Sequence, residues 1–506
     1  MKLLDCTIRD GGYYTGWDFD DDLVLSYLQN FENLPFDYLE VGYRSPALEG
    51  YYGEYFYCNI DTLNFLKDNS SKKLAIILDE KNVRINMLDE LLDPCLGIVS
   101  LIRIAIDPTN FDRAINLANE IKKKGFEIAF NLMYMSNWNE YPEMIKNFSK
   151  LNNLVDYLYL VDSYGGVFPN DVRDVIKRVR ANTNVKIGFH GHNNLEMALA
   201  NTLVAIEEGV DIVDSTILGM GRGAGNLKTE LLLVSLAKNY GSDINFDSLS
   251  DITSKFQKLK DHYNWGTSLP YMVSGANSLP QKQVMDWVSN RSYSLNSITR
   301  ALLKNDNNNY LTFNSKSKFE KVVIVGGGVS IDKHKNHIIN YLNKDREGLA
   351  LIHASSKNAK VFEGLKIEQF FCLVGNEGLR LEGVFDDLSK FQGKCILPPS
   401  PRVMGTYVPN SVRENTYELS EINFTELTND SHTAIAIQTA LLLGAQTIFL
   451  IGFDGYSGDN ISERLQALFI ENNNLFNSIP KDINCISLTP TKYKEVQHSS
   501  IYKMLN

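Results

Sequence analysis

The stretch VKIGFHGHNNLEMALANTLVAIEEGVDIVDS (185–215) reads as one complete structural repeat. An apolar run from Val185 to Phe189 ends in a polar loop. Apolar residues then recur at helical spacing as far as Gly209, and a second apolar run, Ile212 to Ser215, follows. The pattern is strand, helix, strand, with the glycine as the helix stop. On an extended chain alternate side chains share a face, so His190 and His192 point to one side where the first strand gives out. Such an H-x-H serves either as a polar strand end or as two ligands of a metal that still needs a third.

The same unit repeats toward the N-terminus. Strands are predicted at Lys2–Thr7, Tyr38–Tyr43, Leu74–Leu78, Ile98–Ile106, Glu127–Leu132, Tyr157–Val161, Val185–Phe189 and Ile212–Ser215, with starts 24 to 36 residues apart. That spacing fits one strand plus one helix, as in NFDRAINLANEIKKKG (110–125). Eight regular repeats point to a closed (β/α)₈ TIM barrel, because an open doubly wound sheet seldom needs so many.

With 506 residues the chain is too long for one core. Its net charge of −11 and lack of a Lys/Arg block argue against nucleic-acid or anionic-membrane partners. No apolar run reaches the ~18 residues of a membrane span, and the start does not read as a secretory signal. Six cysteines lie far apart without a C-x-x-C pair, which fits reduced thiols. A cytoplasmic protein is expected.

A barrel places its chemistry where strands end. Those positions hold Arg9, Asp10, Glu40, Asp79, Arg103, Asn131, Asp162, His190 and His192, and the eighth unit runs into GMGRGAGN (219–226), which ends on Asn226. First and eighth strands are neighbours in a ring, so Asp10 falls near the histidines. Two imidazoles, a carboxylate and an amide oxygen form a mixed N/O set that suits Mn²⁺ or Mg²⁺ and does not exclude Zn²⁺ or Co²⁺. A metal with open positions can bind a 2-oxo acid and stabilise its enolate. Arg9 is placed to hold a second oxygen. Gly221 and Gly223 would let backbone N–H groups approach the substrate, unless the loop is a plain turn.

Five motifs in order, LLDCTIRDGGY (3–13), YLEVGYRSP (38–46), VDSYGG (161–166), GFHGHNNLEMALANTLVAIEEG (188–209) and GMGRGAGN, resemble the metal-dependent lyase/aldolase superfamily. HMG-CoA lyase, isopropylmalate synthase and 4-hydroxy-2-oxovalerate aldolase belong to it. The resemblance implies Asp10, His190 and His192 as metal ligands, Asn226 as a further ligand or near-ligand, and Arg9 as the enolate-stabilising arginine. The glycine loop resembles the aldolase branch, since the Glu-Arg pair of the Claisen synthases is missing. One departure concerns the proton-transfer histidine of the oxovalerate aldolases, whose place is taken here by Tyr13. A tyrosine with an ordinary pKa of about 10 is a poorer base, and Tyr13 serves equally as pocket wall. Glu40 and Asp162 are expected to orient the ligands.

The barrel domain is expected over 1–303, with a short helical extension at about 265–303, then a linker at 304–318 and a Rossmann-like α/β domain at 319–506. There KFEKVVIVGGGVSIDKH (318–334) runs a strand into three glycines, a place where backbone N–H groups can cradle phosphate. With AIAIQTALLLGAQTIFLIGFDGYSGD (434–459) it resembles the Rossmann-like domain of some bacterial sialyltransferases, implying Gly327, Ser330 and Asp454 at a nucleotide-linked or phosphorylated ligand.

The leading expectation is a divalent-metal aldolase/lyase joining or cleaving a pyruvate-type 2-oxo acid and an aldehyde, as a homodimer, in surface-polysaccharide sugar synthesis. The alternatives are a Claisen-type acyl-CoA condensing enzyme, or a glycosyltransferase-like C-terminal activity beside a non-catalytic barrel.

Overall fold

The computed structural model describes residues 1–289, 294–303, 310–315, 317–344, 348–385, 387–388, 391–402, 404–428, 430–456 and 462–506. Two compact units emerge, Met1–Asp286 and Trp287–Asn506. The sequence pattern ends the barrel domain at 303 instead. The helix Leu295–Leu302 belongs to the second unit, where Ser297 Oγ donates to the Gly405 carbonyl at 2.9 Å and Arg300 donates to the Asn376 amide oxygen at 2.5 Å.

The first unit is a closed parallel barrel of β1 (Lys2–Asp5), β2 (Tyr38–Tyr43), β3 (Lys73–Asp79), β4 (Val99–Ile106), β5 (Glu127–Leu132), β6 (Tyr157–Asp162), β7 (Lys186–Gly191) and β8 (Ile212–Ser215). It closes where Lys2–Asp5 pairs with Ile212–Ser215. The strands are apolar on both faces because helices cover the outside and side chains fill the inside. Leu4, Tyr38, Ala75, Leu101, Ala129 and Tyr159 pack the interior. Outside, the helix Phe111–Lys123 buries Phe111, Ala114, Leu117, Ala118 and Ile121 on one stripe.

One expectation at the site fails. The strand thought to reach Thr7 ends at Asp5, and Arg9 and Asp10 stand on a helix, Thr7–Thr15, instead of a loop. Its Gly11–Gly12 pair, which reads as a loop signal, is there for space. A Cβ on Gly12 would lie 2.1 Å from the Trp17 ring.

The second unit holds a nine-stranded, all-parallel sheet: β9 (Leu311–Thr312), β10 (Lys321–Val325), β11 (Leu349–His353), β12 (Glu368–Cys372), β13 (Lys394–Leu397), β14 (Thr416–Glu418), β15 (Thr447–Ile451), β16 (Asn484–Ser487) and β17 (Gln497–His498). Its order is 17-16-15-10-11-12-13-14-9. Separate cores cover its faces, one including Ile435 and Ala436 of the helix His432–Leu442 and the other Ile331 and Ile338 of the helix Ser330–Lys344. The expected linker at 304–318 is not wholly linker. Residues 304–309 and 316 lie outside the described residues, but Leu311–Thr312 joins the sheet beside β14 and Phe313 is buried. A two-residue strand carries no readable periodicity. Among the described residues no helix is long and apolar enough to cross a membrane.

Candidate active site

The C-terminal ends of the barrel strands surround a cavity of about 70 Å³ lined by Arg9, Asp10, Tyr13, Tyr43, Asn131, His190, His192 and Arg222, among others. Asp5 fixes the start of the helix that carries Arg9 and Asp10, accepting from the Thr7 N–H at 2.9 Å and from the Tyr27 and Thr229 hydroxyls at 2.8 Å each.

Asp10, His190, His192 and Asn226 come together at the floor. Asp10 Oδ2 accepts from the Asn226 amide at 2.6 Å and lies 3.6 Å from His190 Nε2. Each histidine commits its Nδ1, His190 to Asp214 Oδ2 at 2.9 Å and His192 to the backbone carbonyl of Asp162 at 2.8 Å. Nε2 is therefore the nitrogen left to bind. Burial, with Arg222 close by, pushes His192 down to about 3, so it is a neutral imidazole at any working pH. Burial alone would raise Asp10, but the Arg9 guanidinium above all, with the hydrogen bond from Asn226, holds its carboxyl below the ordinary range.

Asn226 supplies the test of whether these residues suit a metal. Its Oδ1 is buried without a hydrogen-bond partner among the described residues. A buried oxygen left so costs roughly 1–3 kcal/mol unless something fills the gap. An anionic carboxylate, two imidazoles and this orphan oxygen fit a divalent cation. Gly221 makes room for the asparagine, because a Cβ there would lie 2.5 Å from Asn226 Nδ2. Gly223 departs from its expected role. Its N–H meets Met285 Sδ at 3.1 Å and its carbonyl accepts the Tyr14 hydroxyl at 2.8 Å, so it pins the loop.

Glu40 Oε2 accepts from Arg9 Nε at 2.7 Å and Arg103 Nη1 at 3.0 Å, and Arg9 also pairs with Asp10. Asp162 orients His192 through its carbonyl oxygen and not, as expected, through its carboxyl. The carboxyl caps the following loop at Gly166 and Val167, and burial raises it to about 7. Tyr13 meets Tyr43, hydroxyl to hydroxyl, at 3.1 Å. Asp79 pairs with Lys81 at 3.1 Å and takes no part.

Sequence reasoning missed Asp214, which braces His190, and gave no role to Arg103, which donates to Asp214 at 2.6 Å and to Asn131 at 3.0 Å. Asp214 sits 24 positions from His190, so only the pairing of β7 with β8 brings them together. Cys6, His190 and Asp214 also gather close enough to suggest ligands. However, Asp214 Oδ2 is already shared by Arg103 and His190, and burial keeps the Cys6 thiol protonated. That trio is support behind the site.

In the second unit, Asp454 accepts from the Ser330 N–H at 2.9 Å and from its hydroxyl. Gly327 stands apart from that pair, facing Ser355 and Lys357.

Fold and donor set together define a (β/α)₈ lyase of the metal-dependent kind. The HMGL-like family profile matches residues 104–256. A 4-hydroxy-2-oxovalerate aldolase of Carboxydothermus hydrogenoformans is 30% identical over 269 residues, 50% of this chain and 76% of that protein. An oxaloacetate decarboxylase of Mycobacterium tuberculosis is 28% identical over 294 residues, 56% of this chain and 84% of that protein. The crystallised N-terminal domain of a candidate aldolase from Bacteroides vulgatus is 50% identical, with a TM-score of 0.57, covering 60% of this chain and all of that domain. The chain belongs to the HMGL-like family and is a metal-dependent carbon–carbon lyase.

Proposed function

We propose that the barrel is an aldolase that interconverts a 4-hydroxy-2-oxo acid with a pyruvate-type 2-oxo acid and an aldehyde. The observation that carries this reading is the convergence of Asp10, His190, His192 and the unpartnered Asn226 Oδ1 beside Arg9. These four residues would hold the divalent ion, with Mn²⁺ or Mg²⁺ favoured by the oxygen-rich set. When bound, the ion supplies Lewis acidity to the 2-oxo group.

The chain's own residues do the rest. Arg9, fixed by Glu40, offers guanidinium N–H donors to the oxygen on which negative charge develops when the C3–C4 bond breaks. Tyr13 relays the proton of the 4-hydroxyl: its Oη accepts that proton as it gives up its own to C3 of the departing enolate, with Tyr43 as the hydrogen-bond partner that orients it. Burial keeps the Tyr43 hydroxyl protonated. Met133 and Val161 line the cavity with apolar surface that limits water.

The test is metal content by elemental analysis with pyruvate release over a panel of 4-hydroxy-2-oxo acids. Bound Mn²⁺ or Mg²⁺ and turnover, both lost in Asp10→Ala and His190→Ala, support the reading. A protein that binds no divalent ion refutes it.

For the second unit we infer a Rossmann-like fold that takes a phosphorylated or nucleotide-linked compound. Strand order reverses between β10 and β15, and a crevice at such a reversal is the usual ligand site of a doubly wound sheet. Gly327, Ser330 and Asp454 flank that point.

A further inference from the structure

We propose that Arg222 recognises a second anionic group on the substrate, so that the preferred 4-hydroxy-2-oxo acid carries two anionic groups. The inference rests on the aldolase reading above and extends it to the class of aldehyde, one that carries its own carboxylate or phosphate.

The barrel unit contains nine arginines. Eight of them donate to a carboxylate, amide or carbonyl oxygen. Arg222 is the exception. It has no carboxylate partner among the described residues, and its Nε is buried without a hydrogen-bond partner. It nevertheless lines the cavity, with its guanidinium 5.6 Å from the centre of the Tyr13 ring. A buried donor left unpaired is costly, and a guanidinium fork matches a carboxylate or phosphate.

Arg222 is also held in place. The Gly225 N–H donates to the Arg222 carbonyl at 3.2 Å, and the neighbouring Gly223 carbonyl accepts from Tyr14 at 2.8 Å. The side chain is thus presented from a fixed loop, which lowers the entropic cost of binding. Its level in the cavity separates it from Arg9. Arg9 is 6% exposed and tied to Asp10 and Glu40 at the floor, whereas Arg222 is partly exposed and stands over Tyr13. A 2-oxo acid seated on the floor would project its far end toward Arg222.

The experiment measures binding of 2-oxoglutarate and 2-oxopentanoate, equal in carbon count and differing by one carboxylate, to the metal-loaded full chain by calorimetry. Wild type is expected to favour 2-oxoglutarate by about 10- to 100-fold, the range of one charge-assisted contact. Arg222→Gln should abolish that preference and Arg222→Lys should restore part of it. Turnover of 4-hydroxy-2-oxo acids ending in carboxylate, phosphate or methyl then tells the two anions apart. Equal binding of both probes by wild type, or equal weakening of both in Arg222→Gln, overturns the role of Arg222 while leaving the aldolase reading standing. Binding of neither probe overturns both.

Discussion

The two units meet one demand differently. Each puts a glycine-containing loop and an acidic residue at the C-terminal ends of parallel strands. In the barrel, Asp10 faces two imidazoles and an amide oxygen that no group among the described residues satisfies. In the second unit, Asp454 already accepts from Ser330, the first residue of the Ser330–Lys344 helix, so a phosphorylated compound bound there would have to exchange with that carboxylate. Location at the strand ends makes a place for a site. Polar groups left unsatisfied and facing a cavity make the site itself.

The largest effect that could break this contrast lies at Tyr13. Tyr13→Phe keeps the ring over which Arg222 sits and removes only the hydroxyl, so kcat for aldol cleavage should fall by about 10²- to 10⁴-fold. Steady-state kinetics decides it, and an unchanged kcat makes Tyr13 a wall of the pocket. Asp214→Asn comes next. Losing the charged partner of His190 Nδ1 should weaken metal affinity by about 10- to 100-fold, read by titration against a chelator.

A pH series sharpens the comparison further, because the two units carry buried groups of opposite sign. Burial pushes His353 down to about 4, so between its ordinary 6.5 and 4 the unfolded chain binds a proton that the folded chain refuses. The second unit should therefore lose stability as pH falls through that window, by up to about 3 kcal/mol. Burial raises Asp5 from 3.8 to about 6, so there the folded chain holds the extra proton. Its contribution is fully present below pH 3.8 and is lost as pH rises through 6. Calorimetric melts at pH 4.5 and 7.5, with His353→Gln and Asp5→Asn beside wild type, separate these limbs. If neither substitution flattens its limb, the assignment is wrong. The smallest expected effect is Asp454→Ala, which removes the acceptor at the Ser330 helix and should cost about 1 kcal/mol in denaturant unfolding.

All eight barrel strands were legible because each is at least four residues long with at least three of them buried, centred on apolar or β-branched side chains, and their regular spacing gave the ring. The helix Thr7–Thr15 was not, since two glycines required by Trp17 and Met220 look the same in sequence as a loop. Short strands such as Thr416–Glu418 and Leu311–Thr312 carry too few residues to show a period. Within the site, His190 and His192 announced themselves by spacing, whereas Asp214 and Arg222 did not. The first acts through a partner on a neighbouring strand. The second lies in a glycine run whose small residues drew the eye to the backbone.

Arg103 draws a last consequence from the barrel. Standing on β4, wholly buried, its guanidinium reaches Glu40 of β2, Asn131 of β5 and Asp214 of β8. One side chain thereby gathers groups from both halves of the ring, and two of those groups hold Arg9 and His190. A chain in which only the first five strands had assembled would leave this cation without Asp214, and His190 without its brace. The catalytic apparatus cannot mature ahead of the ring, so the first appearance of turnover during refolding marks the moment of closure.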